Sequence, residues 1–271
     1  MIKIAFFGTP ELTTTLLDSL KNNDLTSALV VTNPDEPKGR GLVLTPPPAK
    51  LWAIENDIPF LQPEKLDDDF FTVLKKMDFD IFIVAAYGKI FPEKFIDMPK
   101  HGTLNVHYSL LPKYRGATPV ESAILSGDAK TGVSIQQMRF KLDTGPIVAS
   151  EDFPIPSDIT APALRDALNK IAAAMLPNVI RKYVSGEITP VPQDENFATH
   201  SKKIKKEDGL IDPHGNPVLN YRKFRAYISW PRTYFFEKGV RIIISAAQLE
   251  DGVFKIEKVI PEGKKEMPFR A

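Results

Sequence analysis

The sequence predicts an α/β fold: a Rossmann-like open, mostly parallel sheet with helices on both faces, followed by a small C-terminal β module. The chain opens on a strand-like run over residues 2–7, a helical segment and a second buried strand, Ser27–Thr32. Strand and helix patterns then alternate to about residue 185. Beyond residue 186 short β-type runs separated by turn residues take over. Strands that alternate with helices are typical of parallel sheets built from β-α-β units.

The first helix follows a turn at Gly8–Glu11, and its leucines recur at helical spacing at positions 12, 16, 17 and 20. Residues 33–48 contain five prolines and two glycines and are predicted to be a loop. The other elements predicted up to residue 185 are helices at about 49–56, 67–76, 119–125 and 160–185, and strands near 59–61, 79–85, 102–107, 132–137 and 147–153.

The last quarter of the chain predicts a linker and a separate β module. Two prolines and the polar run Gln193–Asn196 indicate the linker, and short β-type runs follow at 241–246, 252–256 and 259–260. We therefore expect a catalytic domain over residues 1–189, a linker over 190–208 and a C-terminal domain over 209–271.

Composition excludes several classes of protein. The 271 residues are 43% hydrophobic and 25% charged, as in globular proteins. The chain has no cysteine, which excludes disulfides, thiolate nucleophiles and Cys-ligated metals. No apolar run approaches the ~20 residues of a membrane span. No targeting segment precedes the first strand, so a cytoplasmic protein is expected.

Charge is unevenly distributed along the chain. Residues 197–271 hold 15 Lys and Arg and 9 Asp and Glu, a net charge of +6, whereas residues 1–196 carry −5. This asymmetry indicates either a module that binds a polyanion or a solvated basic surface.

The loops after the strands carry the candidate chemistry, because ligands of such sheets bind at the carboxyl ends of the strands. The first loop has one glycine, whereas a dinucleotide fingerprint needs three. Asn105 and His107 are two apart on a strand and therefore share a face. Asp143 follows the next strand, and adjacent parallel strands would place it beside them. A strand-end cap for Asn105 and His107, and a turn role for Asp143, are the alternatives.

The ordered set of motifs resembles the formyltetrahydrofolate-dependent formyltransferases. It consists of Asn105-Val-His107-Tyr-Ser109-Leu-Leu-Pro112, Arg115-Gly116, Gly127-Asp128, Thr131-Gly132-Val133 and Leu142-Asp143-Thr-Gly145. Further segments, including Gly8-Thr-Pro10, Gly39-Arg40-Gly41 and Glu207-Asp208-Gly209, resemble the members of this family that act on initiator methionyl-tRNA.

The resemblance implies a catalytic trio of Asn105, His107 and Asp143, with 10-formyltetrahydrofolate as co-substrate and no metal. His107 would accept a proton near neutral pH, Asn105 would donate to the developing oxyanion, and Asp143 would stabilise the imidazolium. The folate-binding residues would be Ala85, Ala86, Tyr87, Gly88, Ser109, Leu110, Leu111 and Pro112.

The resemblance also implies a tRNA partner. The loop around Gly39–Gly41 would enter the acceptor stem, and the C-terminal domain would be an OB-like barrel, shortened here to about 70 residues. The tRNA contacts would come from Lys38, Arg40, Arg115, Lys203 and Lys206. A monomer with no membrane contact is expected.

Three other functions share parts of this pattern. A sugar-nucleotide N-formyltransferase would use the same catalytic core on an amino sugar, and a formyltetrahydrofolate hydrolase would replace the amine by water. A folate- or tRNA-binding protein on an inactive scaffold would not need an intact Asn, His and Asp set. The Gly39–Lys50 loop and the Ala198–Asp212 segment favour the tRNA enzyme over the sugar enzyme.

Overall fold

A computed structural model describes residues 2–39 and 41–270 of the chain. The strands are β1 (Ile4–Gly8), β2 (Leu29–Val31), β3 (Glu36–Lys38), β4 (Val43–Thr45), β5 (Phe60–Leu61), β6 (Ile81–Ala85), β7 (Thr103–His107), β8 (Arg115–Gly116), β9 (Lys130–Gln137), β10 (Ile147–Pro154), β11 (His200–Ser201), β12 (Tyr234–Glu237), β13 (Val240–Glu250), β14 (Val253–Pro261) and β15 (Met267–Pro268). The α-helices are α1 (Leu12–Asn22), α2 (Pro48–Glu55), α3 (Asp68–Lys75), α4 (Glu93–Ile96), α5 (Pro119–Ser126), α6 (Ala161–Val184) and α7 (Pro217–Ala226). Two 3₁₀-helices cover Glu195–Phe197 and Lys206–Gly209.

The central sheet has seven strands in the order β10-β9-β7-β6-β1-β2-β5. The pairs from β7 through β6, β1 and β2 to β5 are all parallel. β1 and β6 are buried along their whole length, as expected for inner strands of a parallel sheet covered on both faces. The predicted fold class, a mostly parallel sheet with helices and a C-terminal strand module, is confirmed.

The direction of one strand in this sheet differs from the prediction. β9 pairs with β7 in the antiparallel direction, with His107 opposite Ser134 and Leu104 opposite Gln137. The carboxyl end of β9 therefore lies at the amino end of β7, away from His107. The expectation that parallel neighbouring strands bring Asp143 to His107 was wrong. The loop 138–146 turns back toward His107 and places Asp143 beside it instead.

The proline-rich segment 33–48 is not a plain loop. β3 and β4 form an antiparallel hairpin in which Pro37 is opposite Leu44. Proline is tolerated here because a two-stranded hairpin leaves the N–H side of each strand free of a further partner. The side chains of Leu42, Val43 and Leu44 are exposed.

The C-terminal strands form an antiparallel four-stranded sheet in the order β12-β13-β14-β15. A register irregularity in β13 lies between Ile244 and Ala247. A helix, α7, precedes this sheet, and the sequence analysis did not predict it because its Asn-Tyr-Arg-Lys stretch lacks an apolar stripe. The signals that mark it are Asn216, whose side chain accepts a hydrogen bond from the Leu219 N–H, and Pro217 in the first turn.

The chain divides into two compact units. The first contains residues up to Lys113 together with 132–151 and 167–198, and the second contains 114–131, 152–166 and the residues from Thr199 onward. The catalytic, linker and C-terminal boundaries at 189 and 208 stay a prediction. None of the helices in the described part of the chain combines the length and apolar character that crossing a bilayer requires.

Candidate active site

The candidate site lies on the face of β7 that carries Asn105 and His107. Asn105 is paired across the sheet with Gln136 of β9, and cross-strand partners project to the same face. His107, the last residue of β7, is buried. The Asn105 amide has no hydrogen-bond partner within the described residues, so its donors are available to a bound molecule.

Asp143 reaches this face through the loop 138–146. Its Oδ2 lies 3.6 Å from His107 Nδ1, and both side chains are less than a tenth exposed. This separation exceeds a hydrogen bond but leaves a carboxylate beside the imidazole in a site with little water to screen the charge. The Asp143 carboxylate is therefore placed where it can stabilise a positive charge that develops on the imidazole.

Gln136 holds Asp143 in place. Its Nε2 donates to Asp143 Oδ1 at 2.8 Å, while its Oε1 accepts the Gly145 N–H at 3.2 Å. Gln136 is 1% exposed, so both of its polar atoms are used inside the site. Sequence reasoning missed this residue. The signal that could have found it is a polar side chain directly after Val133–Ile135 within a predicted strand.

The loop is also held from its other side. Gln193 Nε2 donates to the backbone oxygens of Asp143, at 2.9 Å, and Gly145, at 2.7 Å. Ile147 and Val191 exchange two backbone hydrogen bonds next to this contact. The start of the predicted linker thus contacts the loop 138–146, which the sequence analysis did not anticipate.

Gly145 is required by this arrangement. A Cβ at position 145 would lie 1.6 Å from the Gln137 carbonyl oxygen, so no side chain fits where the loop returns along β9. Asp143 itself has a φ of 52°, a left-handed conformation that Asp adopts more readily than most residues.

The segment after β7, Ser109–Pro112, is fixed by hydroxyl groups. Ser109 Oγ donates to the Lys113 carbonyl at 2.6 Å, and Ser134 Oγ donates to the Ser109 carbonyl at 2.8 Å and accepts the Leu111 N–H at 3.0 Å. Ser109 is fully buried, whereas Leu110, Leu111 and Pro112 are half-buried. The segment therefore presents an apolar, partly open edge beside His107.

The turn Ala85–Gly88 after β6 divides into buried and exposed positions. Ala85 and Tyr87 are buried, and Ala86 and Gly88, both with positive φ, are exposed. The Tyr87 ring packs edge-on against Phe7, and burial raises the pKa of its phenol. Asn33 Nδ2 donates to the Tyr87 carbonyl at 3.1 Å and fixes the turn.

A buried asparagine on α6 joins the elements that surround the site. Asn169 Oδ1 accepts the Tyr108 hydroxyl at 2.8 Å, and its Nδ2 donates to the Leu12 carbonyl at 2.9 Å. The residue after His107 is thereby connected to the start of α1, so one amide helps to fix the end of β7.

The residues predicted to contact tRNA are distributed as follows. Lys203 and Lys206 are exposed. Arg115 in β8 is 1% exposed, so its guanidinium is enclosed in this structure, and its contact with tRNA stays a prediction. Lys38 lies in β3, and Arg40 lies outside the described residues.

Comparison with known proteins assigns the family. A family model described as formyl transferase matches residues 2–180. The methionyl-tRNA formyltransferase of Bacillus licheniformis is 39% identical over 249 residues, which cover 92% of this chain and 79% of that protein. The chain belongs to the formyl transferase family. The resemblance found in the sequence is thus confirmed, and the protein is a formyl-transferring enzyme related to the methionyl-tRNA formyltransferases.

Solved structures show the same fold at low identity. The methionyl-tRNA formyltransferase of Clostridium thermocellum has a TM-score of 0.66 at 17% identity, covering 96% of this chain and 99% of that one. An N-formyltransferase from Helicobacter canadensis, solved with folinic acid and dTDP-3-aminofucose, has a TM-score of 0.69 at 19% identity, covering 92% and 89%. At these identities, the two likenesses show that this formyl transferase shares the fold of those proteins, and they show nothing more.

Proposed function

We propose that the protein transfers the formyl group of 10-formyltetrahydrofolate to the α-amino group of methionine on initiator tRNA, for translation initiation in the cytoplasm. The observation that carries the proposal is the placement of Asn105, His107 and Asp143 on one face at the end of β7. The 39% identity to a methionyl-tRNA formyltransferase supports the substrate.

The reaction needs a base, an oxyanion donor and a charge partner for the base. The neutral amine attacks the formyl carbon, a C–N bond forms, and the carbonyl oxygen becomes an oxyanion that the Asn105 amide stabilises. His107 accepts the amine proton, and its imidazolium is stabilised by Asp143, 3.6 Å from Nδ1. The other ring nitrogen, Nε2, is therefore assigned to the proton transfer.

Collapse of the tetrahedral intermediate completes the transfer. The carbonyl re-forms, the bond from the formyl carbon to N10 of the folate breaks, and the imidazolium returns its proton to that nitrogen. These steps need three side chains and no covalent enzyme intermediate. Among the described residues no group of three or more His, Asp or Glu side chains is placed to hold a metal ion.

The folate would lie along the apolar edge formed by Leu110, Leu111 and Pro112 and the exposed turn positions Ala86 and Gly88. Ala86 and Gly88 are both exposed, so this side of the turn is open to a ligand. Tyr87 and Ser109 then act indirectly, by fixing the two loops through packing and through the Lys113 carbonyl.

A two-substrate assay tests the proposal. The protein is incubated with 10-formyltetrahydrofolate and either methionyl initiator tRNA or an amino-sugar nucleotide, and formylation of each amine is measured. We expect formylation of the methionyl-tRNA at a rate far above that of the sugar. Preferential formylation of the sugar would replace the proposed substrate, and release of formate without transfer would indicate a hydrolase.

A further inference from the structure

The second compact unit contains a cavity of about 290 Å³ that the formyl transfer does not use. Its walls come from α5 and the turn after it, from residues 155–157, from α7 and from Leu249 of β13. All of these residues belong to the second unit, whereas Asn105, His107 and Asp143 belong to the first. The cavity is therefore a separate feature of the molecule.

Two guanidinium groups define the chemistry of this cavity. Arg222 and Arg225 are three residues apart on α7 and therefore lie on one helix face, with Tyr221 beside them. Neither arginine has a carboxylate within 4 Å in the part of the chain that the structure describes. Two positive charges thus line one concave surface without an ion-pair partner.

Arg225 is buried, and its donors are incompletely used. The residue is 7% exposed, Nη1 donates to the Ile159 carbonyl at 3.0 Å, and Nε is buried without a hydrogen-bond partner. Burial lowers the pKa of Arg225, and the nearby charge of Arg222 lowers it further, while Tyr221 and Asp158 act in the opposite direction. The Arg225 guanidinium lies over the Tyr221 ring, 5.1 Å from its centroid, and this contact offsets part of the cost of burying the cation. An anion in the cavity would offset more of that cost.

Arg222 is placed by a glycine. Its Nη1 donates to the Ser126 carbonyl at the end of α5, at 3.1 Å. A Cβ on Gly127 would lie 2.0 Å from the Arg222 guanidinium, so the glycine provides the space that the group occupies. The bond to Ser126 caps a helix end but uses one of five guanidinium donors.

Apolar residues form the rest of the wall, and one carboxylate joins them. Ile124, Ile155 and Leu249 line the cavity together with Asp128. Asp128 Oδ2 accepts the Tyr114 hydroxyl at 2.9 Å, so this oxygen already has a partner within the protein. An anionic group held by the arginines could therefore carry a small apolar or aromatic substituent.

We propose that this cavity is a binding site for a phosphate group, held by Arg222 and Arg225. Guanidinium forks match phosphate oxygens in pairs, and two adjacent positive charges suit a dianion better than a carboxylate. The phosphate can come from a free small ester or from the backbone of a nucleic acid. The phosphate site does not depend on the formyl transfer. A negative result for phosphate binding would therefore leave the proposed function unchanged.

Calorimetric titration of the full chain at constant ionic strength tests the site. The probes are inorganic phosphate, phenyl phosphate, benzoate and a short RNA oligonucleotide. Phenyl phosphate is expected to saturate one site below about 1 mM. Benzoate, with one negative charge, is expected to bind at least about tenfold more weakly. No saturable binding of either phosphate, or equal binding of benzoate, would overturn the proposal.

Variants connect binding to the two arginines. Arg222→Gln is expected to weaken phenyl phosphate binding by about tenfold or more, and Arg222→Lys to recover part of it, since lysine keeps the charge but loses the fork. Arg232→Gln removes the same charge from the same unit outside the cavity and should leave affinity within about twofold. Arg225→Gln is judged only if its thermal unfolding matches the parent, because its side chain is buried.

The RNA arm separates the two sources of phosphate. Competition between RNA and phenyl phosphate that Arg222→Gln abolishes would assign the site to a nucleic-acid backbone. Phenyl phosphate binding that RNA does not displace would assign it to a free ester. Equal affinity of Arg222→Gln and the parent for phenyl phosphate would show that the binding takes place elsewhere and would overturn the proposal.

Discussion

The His107 imidazole takes the amine proton in the proposed mechanism, so its removal should slow the chemical step without preventing binding. His107→Ala is expected to lower kcat by about 10²–10⁴-fold, the usual range for loss of a general base. The dissociation constant for folate should change little, because the apolar edge at Leu110–Pro112 remains. Single-turnover formylation and folate titration measure the two quantities. A kcat near the parent value would remove His107 from the mechanism.

Asp143 should set the pH dependence of the reaction. Because its carboxylate lies 3.6 Å from His107, Asp143→Asn removes a charge that stabilises the imidazolium. A base that protonates less readily stays active to lower pH, so the acid limb of the kcat profile should move to lower pH while its plateau falls. The measurement is kcat of Asp143→Asn and of the unmodified protein across the pH range. An unchanged limb and plateau would reduce Asp143 to a turn residue.

Gln136 should act through Asp143 rather than on the substrate. Gln136→Ala removes the hydrogen bonds to Asp143 Oδ1 and the Gly145 N–H, and kcat should fall by about tenfold with an unchanged KM for folate. The acid limb of the kcat profile of Gln136→Ala should move to lower pH, in the same direction as that of Asp143→Asn. The matched control is Gln137→Ala, the next residue on the opposite face of β9, with about the parent kcat. Equal effects of the two variants would contradict the positioning role.

At the scale of elements, the loop 138–146 depends on one glycine. Gly145→Ala would place a Cβ 1.6 Å from the Gln137 carbonyl oxygen, so the loop must move away from β9. We expect a loss of about 2–3 kcal/mol in the free energy of unfolding together with a large loss of kcat. Gly41→Ala is the stability control, since its Cβ would meet nothing closer than 3.6 Å. Denaturant unfolding measures the free energy of unfolding of both variants. Equal stability of Gly145→Ala and Gly41→Ala would contradict the close approach of position 145 to the Gln137 carbonyl.

The elements also show what a sequence pattern can and cannot predict. β1 and β6 were predicted because whole apolar runs are buried in a parallel sheet, and the buried residues match them. The direction of β9 was missed, since an apolar strand carries no sign of its orientation. The hairpin β3–β4 was missed because the proline content of the segment predicted a loop. The polar helix α7 was missed because it lacks an apolar stripe, although its capping residues mark its start.

The proposed catalytic residues were more predictable than the residues that hold them. Asn105 and His107 share a face by strand periodicity alone, which the register confirms. The contacts of Gln193 with the Asp143 and Gly145 carbonyls join segments about 50 residues apart, and no local pattern encodes such a contact. Tertiary packing thus determines the support of the site, and sequence motifs indicate its chemistry.

For the whole molecule, the charge asymmetry predicts how tRNA binding responds to salt. The net charge of +6 over residues 197–271 and the exposed Lys203 and Lys206 favour phosphate contacts, which release counterions. Lys203→Ala and Lys206→Ala should weaken binding of all tRNAs about equally, and each should lower the salt slope by about 0.7–0.9. Lys76→Ala, an exposed lysine at the end of α3, is the control. Salt-independent binding would contradict this account.

Arg40 should behave differently from the lysines, because the family resemblance implies that its loop enters the acceptor stem and helps to place the aminoacyl end. Arg40→Ala is expected to lower kcat/KM for methionyl initiator tRNA more than it lowers tRNA affinity, since misplacing the reacting amine costs rate rather than general binding. The measurement is kcat/KM and Kd for Arg40→Ala and Lys203→Ala across one salt series. The lysine variant should lose affinity and rate in proportion, and its loss should shrink at high salt, whereas the catalytic loss of Arg40→Ala should persist. Full activity of Arg40→Ala would favour a small amino-sugar substrate, which needs no such loop.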